Sequence, residues 1–186
     1  MTRDLLANEV ELVTELCQRL TAENEMKKPK TTMRILDIGC GSGKLALYLQ
    51  EATGYEVTGI DPVQKNVEKA RMKSSSVTFL IQSAENLAFA DNIFDFAVSL
   101  KSLHEIPNPK AALKESHRVL KAGGKLFVID WVGGVPQTST HGHAPKYFRP
   151  VRLKDALSEA GFGTISLMLN KEGALMLAEG EKIGVR

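Results

Sequence analysis

The segment Ile35-Leu36-Asp37-Ile38-Gly39-Cys40-Gly41-Ser42-Gly43-Lys44 constrains this chain more than any other. A short apolar run passes into three glycines at alternate positions, and a helical pattern starts at Lys44. A strand that feeds a helix through a glycine turn is the opening unit of an α/β fold. Glycine lets a ligand approach the backbone closely, and a helix N-terminus favours negative charge.

The rest of the chain repeats the alternation. Strands are expected over 33–38, 56–60, 77–81, 94–100 and 125–131. Helices are expected over 44–52, from Pro62 onward with the proline at the first helical position, over 109–120, and over 151–160 before Gly161. Lys121-Ala122-Gly123-Gly124 reads as the cap of the third of these. Residues 164–170 and 174–179 read as a final hairpin turning at Lys171-Glu172-Gly173. Between 133 and 150 lies a long loop carrying Gly, Pro and His. Strands alternating with helices imply a doubly wound, mostly parallel sheet covered on both faces, with ligands beyond the carboxyl ends of the strands. That directs attention to 39–43, Asp61, 83–85, 99–105 and 131–134. Ahead of the glycine turn, Leu5, Leu6, Val10, Val13, Leu16, Cys17 and Leu20 recur at helical spacing, and 25–32 reads as a linker. The expected organisation is an N-terminal helical cover, 1–32, and a ligand-binding domain, 33–186.

Composition removes several classes. A chain of 186 residues with a net charge of +2 is one ordinary domain without the electrostatic footprint of a duplex-DNA binder. No apolar run approaches 18 residues, so no membrane span is expected, and the first residues lack a signal-peptide core. Two cysteines, Cys17 and Cys40, offer neither a disulfide framework nor a cysteine zinc cluster, which fits a reducing cytoplasm.

The glycine loop fails two phosphate fingerprints. The dinucleotide pattern would need glycine where Lys44 stands, which argues against a nicotinamide oxidoreductase. The phosphate-loop pattern would need Ser or Thr where Leu45 stands. What fits is Asp37-x-Gly39-x-Gly41-x-Gly43, followed by Gly59-Ile60-Asp61-Pro62, by Gln82-Ser83-Ala84-Glu85-Asn86-Leu87-Ala88-Phe89, and by Phe94-Asp95-Phe96-Ala97-Val98-Ser99-Leu100 leading to Pro109 and Gly123-Gly124. From about Arg34 to Glu179 this order resembles the class I S-adenosylmethionine-dependent methyltransferases, in the ubiquinone/menaquinone-biosynthesis-like (type 11) branch.

The resemblance implies a Rossmann-like α/β fold with a seven-stranded sheet in the order 3-2-1-4-5-7-6 and an antiparallel last strand. It implies S-adenosylmethionine as cofactor, with S-adenosylhomocysteine as product. Gly39, Cys40, Gly41 and Gly43 would lie against the methionine end, with Asp37 orienting that loop or reaching the amino group. Asp61, beside Pro62, would accept hydrogen bonds from the ribose hydroxyls. Ser83, Ala84 and Glu85 would serve the adenine, Ser83 replacing the Asp common in the family, and Ser99 and Leu100 would complete the site.

Methyl transfer from a sulfonium is an in-line displacement of an already activated group, so orientation matters most and a base is needed only where the acceptor must lose a proton. His104, just past strand four, is the expected catalytic base. Lys101, His104, Tyr147 and Arg149 are the expected acceptor contacts. Ser99-Leu100-Lys101-Ser102 lacks the motifs of the amino-methylating and cytosine-ring nucleic-acid enzymes, and lacks the acid of the metal-dependent catechol type. His141-x-His143 is a pair of ligand-type residues without a neighbouring acid or cysteine in sequence, and no metal is expected. The acceptor is expected to be a small molecule rather than nucleic acid. A methyltransferase of RNA or protein, and a non-catalytic cofactor-binding sensor or partner protein, remain alternatives. The N-terminal helix reads equally as a lid or as a homodimer surface.

Overall fold

The computed structural model describes residues 5–25 and 32–184. The elements run α1 (Ala7–Glu25), β1 (Arg34–Ile38), α2 (Lys44–Thr53), β2 (Glu56–Asp61), α3 (Gln64–Lys73), β3 (Thr78–Ile81), β4 (Phe94–Leu100), α4 (Pro109–Val119), β5 (Leu120–Trp131), α5 (Pro150–Glu159), β6 (Phe162–Leu169) and β7 (Leu175–Lys182). The sheet has seven strands in the order β3-β2-β1-β4-β5-β7-β6, as the resemblance implies. The first five pair in parallel, and β7 inserts antiparallel between β5 and β6.

Strand alternation sorts the core into two layers. Phe127 and Ile129 of β5 join Leu12, Val13, Leu16 and Leu20 of α1, Leu45 and Leu49 of α2 and Val67 of α3 on one face. Leu126 and Val128 join Leu113 of α4 and Leu153 and Leu157 of α5 on the other. The N-terminal helix therefore packs into the sheet's own core. Residues 26–31 of the expected linker lie outside the described residues.

Two helix boundaries depart from expectation. Pro62 does not start α3: Val63 is extended and the helix begins at Gln64. The Asp61 carboxylate accepts from the Val63 N–H at 2.9 Å, so the strand end spends a short turn before the helix. Gly123-Gly124 does not cap α4, which ends on an extended Leu120. The pair instead sits inside β5, where the register jumps from Phe94↔Leu120 to Phe96↔Lys125. Gly123 has a φ of 74° there, and a side chain at Gly124 would meet the Lys121 carbonyl at 2.8 Å, so the glycines build an irregularity in the strand. α4 starts where expected, with Pro109 at its first turn and Asn108 Oδ1 accepting from the Ala111 N–H. The hairpin strands begin and end one to three residues from the expected limits, around the same turn.

Candidate active site

The carboxyl ends of β1 to β4 open onto a cavity of about 530 Å3. That lies within the ~300–1,000 Å3 of small-molecule sites. Gly39 from the end of β1, Asp61 and Pro62 from β2, Ser83, Ala84 and Glu85 from beyond β3, and Lys101 from beyond β4 all line it. The sequence left Val63, Asn66, Gln82, Ser102, Glu105, Ile106 and Pro107 out of the cofactor site, yet they share its wall.

Asp61 organises this cavity. Its Oδ2 accepts from the Gly41 N–H at 3.0 Å, and its Oδ1 accepts from Val63 N and from Asn66 Nδ2. The acid thus ties the glycine loop to the turn before α3, and its fourth lone-pair site is left for a ligand. Gly39 has a φ of 69°, and a Cβ there would lie 2.4 Å from that of Ser102. Ser102 Oγ donates to the Ile38 carbonyl at 2.7 Å and lies 2.6 Å from Ser99 Oγ. These bonds lock the ends of β1 and β4 together over the glycine. Gly41, with a φ of 52°, has open space where a Cβ would stand, but it does not line the cavity and its N–H is taken by Asp61. Glu85 receives the Asn108 N–H at 2.8 Å and pairs with Ser83 Oγ, which anchors the segment after β3 to the start of α4.

Other expected residues stand back from the cavity. Asp37 is fully buried beneath the glycine loop, and neither carboxylate oxygen has a hydrogen-bond partner. Burial pushes its pKa up to about 7 and the Asp61 charge adds to this, while the nearby Ala46 amide, short of a full hydrogen bond, opposes it. Cys40 is buried with its N–H on the Ile60 carbonyl, and burial raises its thiol pKa far above the ordinary range. Gly43 caps α2, and Ser99 is buried below Ser102. Leu100 closes β4 against the core.

The sequence missed Glu9, which is 0% exposed at the start of α1. Lys44 Nζ reaches its carboxylate at 2.8 Å and Lys101 Nζ pairs with it from the other side. Burial alone would raise its pKa, but the hydrogen bonds from Lys101 and Lys44 outweigh burial and hold it below the usual carboxylate value. Lys101 has a φ of 52° and its ammonium also sits 5.0 Å from the Trp131 ring centroid.

On the β5 side the loop residues cluster. His104 is 7% exposed; its Nδ1 lies 2.7 Å from Asp130 Oδ1, and its backbone N–H donates to Asp130 Oδ2. The Tyr147 ring stands edge-on to His104 at 4.8 Å, and His141 stands edge-on to Trp131 at 4.6 Å. Arg149 lies apart, on a shallow hollow with Lys146, Tyr147, Phe148 and Arg152. A second cavity, about 400 Å3, is lined by His104, Lys146 and Phe148 and shares Glu105, Ile106 and Pro107 with the first. The arrangement is a ligand cavity over the strand ends, beside a pocket of ionisable and aromatic side chains. Among the described residues no helix is long and apolar enough to cross a membrane.

Comparison with known proteins places this geometry. Residues 36–128 match the family model described as a methyltransferase domain. The chain is 36% identical over 128 residues to an O-methyltransferase of Aspergillus nomiae, covering 65% of this chain and 56% of that one. It is 30% identical over 169 residues to an O-methyltransferase of Pyrenophora dematioidea, covering 82% and 62%. The chain spans about half the length of the curated relatives it matches. The solved S-adenosylmethionine-dependent methyltransferase of Thermotoga maritima superposes with a TM-score of 0.69 at 26% identity, covering 97% of each chain. A family match over half the chain, on this strand order and this glycine loop, makes the chain a member of the methyltransferase-domain family, the class I enzymes that use S-adenosylmethionine.

Proposed function

We propose that this domain transfers the methyl group of S-adenosylmethionine to a hydroxyl oxygen of a small-molecule acceptor. The observation that carries the reading is the cavity at the strand ends, where Gly39, Asp61 and the 83–85 segment converge. The residues fit the cofactor: an orphaned buried carboxylate at Asp37, open space beside the Gly41 Cα, and an acid at Asp61 with acceptor capacity to spare. The cofactor supplies an activated methyl on a sulfonium. The chain's part is to bind and orient it. Asp61 would hold a ribose hydroxyl, Ser83, Ala84 and Glu85 the adenine, and the Gly39–Gly43 loop, with Asp37 beneath it, the methionine end, with Ser99 and Leu100 backing the site.

The oxygen acceptor is supported by the names of the relatives from Aspergillus and Pyrenophora. The acceptor side falls between Lys101, His104 and Tyr147, with Arg149 at the margin. Asp130 holds the His104 ring through Nδ1, and Nε2, 3.2 Å from Glu105 Oε1, would take the proton of a hydroxyl. Helix α1 serves as a cover in this reading, since Glu9 grips both Lys44 and Lys101 beside the loop.

Calorimetric titration with S-adenosylmethionine and S-adenosylhomocysteine, with NAD as control, tests the cofactor half. Binding of both adenosyl compounds and none of NAD is expected; binding of NAD alone would overturn it. For the acceptor half, release of S-adenosylhomocysteine is followed across a panel of hydroxylated aromatic compounds. His104→Ala is expected to lower kcat by about 100-fold or more, with cofactor affinity unchanged.

A further inference from the structure

The sequence offers His141-x-His143 as its metal-like spacing, and the fold sends those two rings to different partners. His141 Nδ1 lies 3.3 Å from the Tyr147 hydroxyl. His143 Nδ1 lies 2.5 Å from Glu105 Oε1, on the loop after β4. The same Glu105 oxygen is 3.2 Å from His104 Nε2. Three ligand-type groups from two loops thus converge, all their candidate atoms lying within 4.8 Å of one another. We propose that His104 Nε2, the Glu105 carboxylate and His143 Nδ1 bind a divalent transition-metal ion of the zinc class.

Two features point to a cation at this spot. First, His104 is gripped from behind. Asp130 accepts the His104 and Trp131 backbone N–H groups, and its Oδ1 stands 2.7 Å from His104 Nδ1, which turns Nε2 outward. That is the carboxylate–histidine arrangement that orients a metal-binding imidazole and raises its basicity. Second, the other ring nitrogen then faces a second carboxylate, Glu105. Their 3.2 Å separation is the spacing of two ligands on one ion.

The spacing suits zinc. Ligands about 2.0–2.1 Å from a tetrahedral ion stand roughly 3.3 Å apart. The His104–Glu105 separation of 3.2 Å meets this, and the exposed His143 ring needs only to swing out. Two histidines and a glutamate leave a fourth position open, as in catalytic zinc sites. The site adjoins the second cavity, and Glu105 is also a wall of the cofactor cavity. A hydroxyl oxygen of the acceptor would fill the fourth position; this role, unlike the metal site itself, rests on the proposed function. Its proton passes to solvent, the oxygen lone pair forms the bond to the methyl carbon, and the pair of the breaking carbon–sulfur bond returns to sulfur. His104 Nε2 is then a ligand in place of a proton acceptor.

The test is titration of metal-stripped, tag-free full chain with Co2+, read by its visible ligand-field absorption, and with Zn2+, read by calorimetry. One equivalent is expected to bind. H143A and E105Q should each weaken binding by roughly tenfold or more, and D130N by roughly 10–100-fold, with H141A unchanged. The side chains of His143 and Glu105 are 52% and 50% exposed, so these variants keep their fold, which thermal unfolding verifies. Absence of binding to the parent chain, or an H141A loss equal to that of H143A, would overturn the site. S-adenosylmethionine titration of the same metal-free protein is scored separately. Metal binding without cofactor binding sinks only the methyl-transfer reading, and the reverse sinks only the metal site.

Discussion

Asp61 does two jobs with one carboxylate. It holds the Gly41 amide in place and presents acceptor capacity to the cavity. Asp61→Ala is therefore expected to cost on the order of 2–3 kcal/mol of cofactor binding, measured by calorimetry, and to loosen the glycine loop as well. Gly41→Val acts otherwise: it fills the open approach and strains a φ of 52°. Adenosyl binding should vanish, and unaltered binding in both variants would put the site elsewhere. Asp37 sets a pH dependence. Its folded pKa of about 7 lies above the ordinary 3.8, so the folded state holds the proton more tightly than the unfolded chain. Its ionisation erodes stability as pH rises from about 4 to 7. Asp37→Asn removes that cost. The melting temperature of the variant, relative to the parent, should therefore be higher at pH 8 than at pH 5.

At the scale of elements, α1 is docked by a charge as well as by its apolar stripe. Glu9→Gln should lower stability by about 1–3 kcal/mol at pH 7, seen as a fall in melting temperature. The sign follows from its depressed pKa: the contribution is present above the ordinary 4.5 and fades as pH falls below it, so parent and variant should converge in acid. Nothing in the local pattern announced this contact, because Glu9 meets Lys44 and Lys101 only once the helix lies across the strand ends. The same reason hid Glu105 and His143, 38 residues apart. What the sequence did show was periodic: the strands, the glycine loop and the Pro109 start of α4 each rest on neighbours in the chain. Pro62 and Gly123-Gly124 misled because each motif has two uses. Proline can precede a helix as well as open it, and a glycine pair can kink a strand as well as end a helix.

For the whole molecule, the cofactor cavity joins four strand ends that local unfolding would scatter. A ligand that binds only the folded state should stabilise it by about 2.7 kcal/mol at a hundred times its dissociation constant. For a chain of this size that is roughly a 5–11 °C rise in melting temperature with S-adenosylhomocysteine, and no rise with NAD. The sheet order was legible only through the resemblance, since no strand names its lateral neighbour. Strand β7 shows what that order costs in time. It enters between β5 and β6 from the far side of a hairpin, so the outer edge of β5 stays bare until residues 175–182 arrive. A refolding chain thus passes through a state with an unpaired, apolar strand edge open to its neighbours. Refolding yield should fall as protein concentration rises, while the rate of the productive phase stays independent of it.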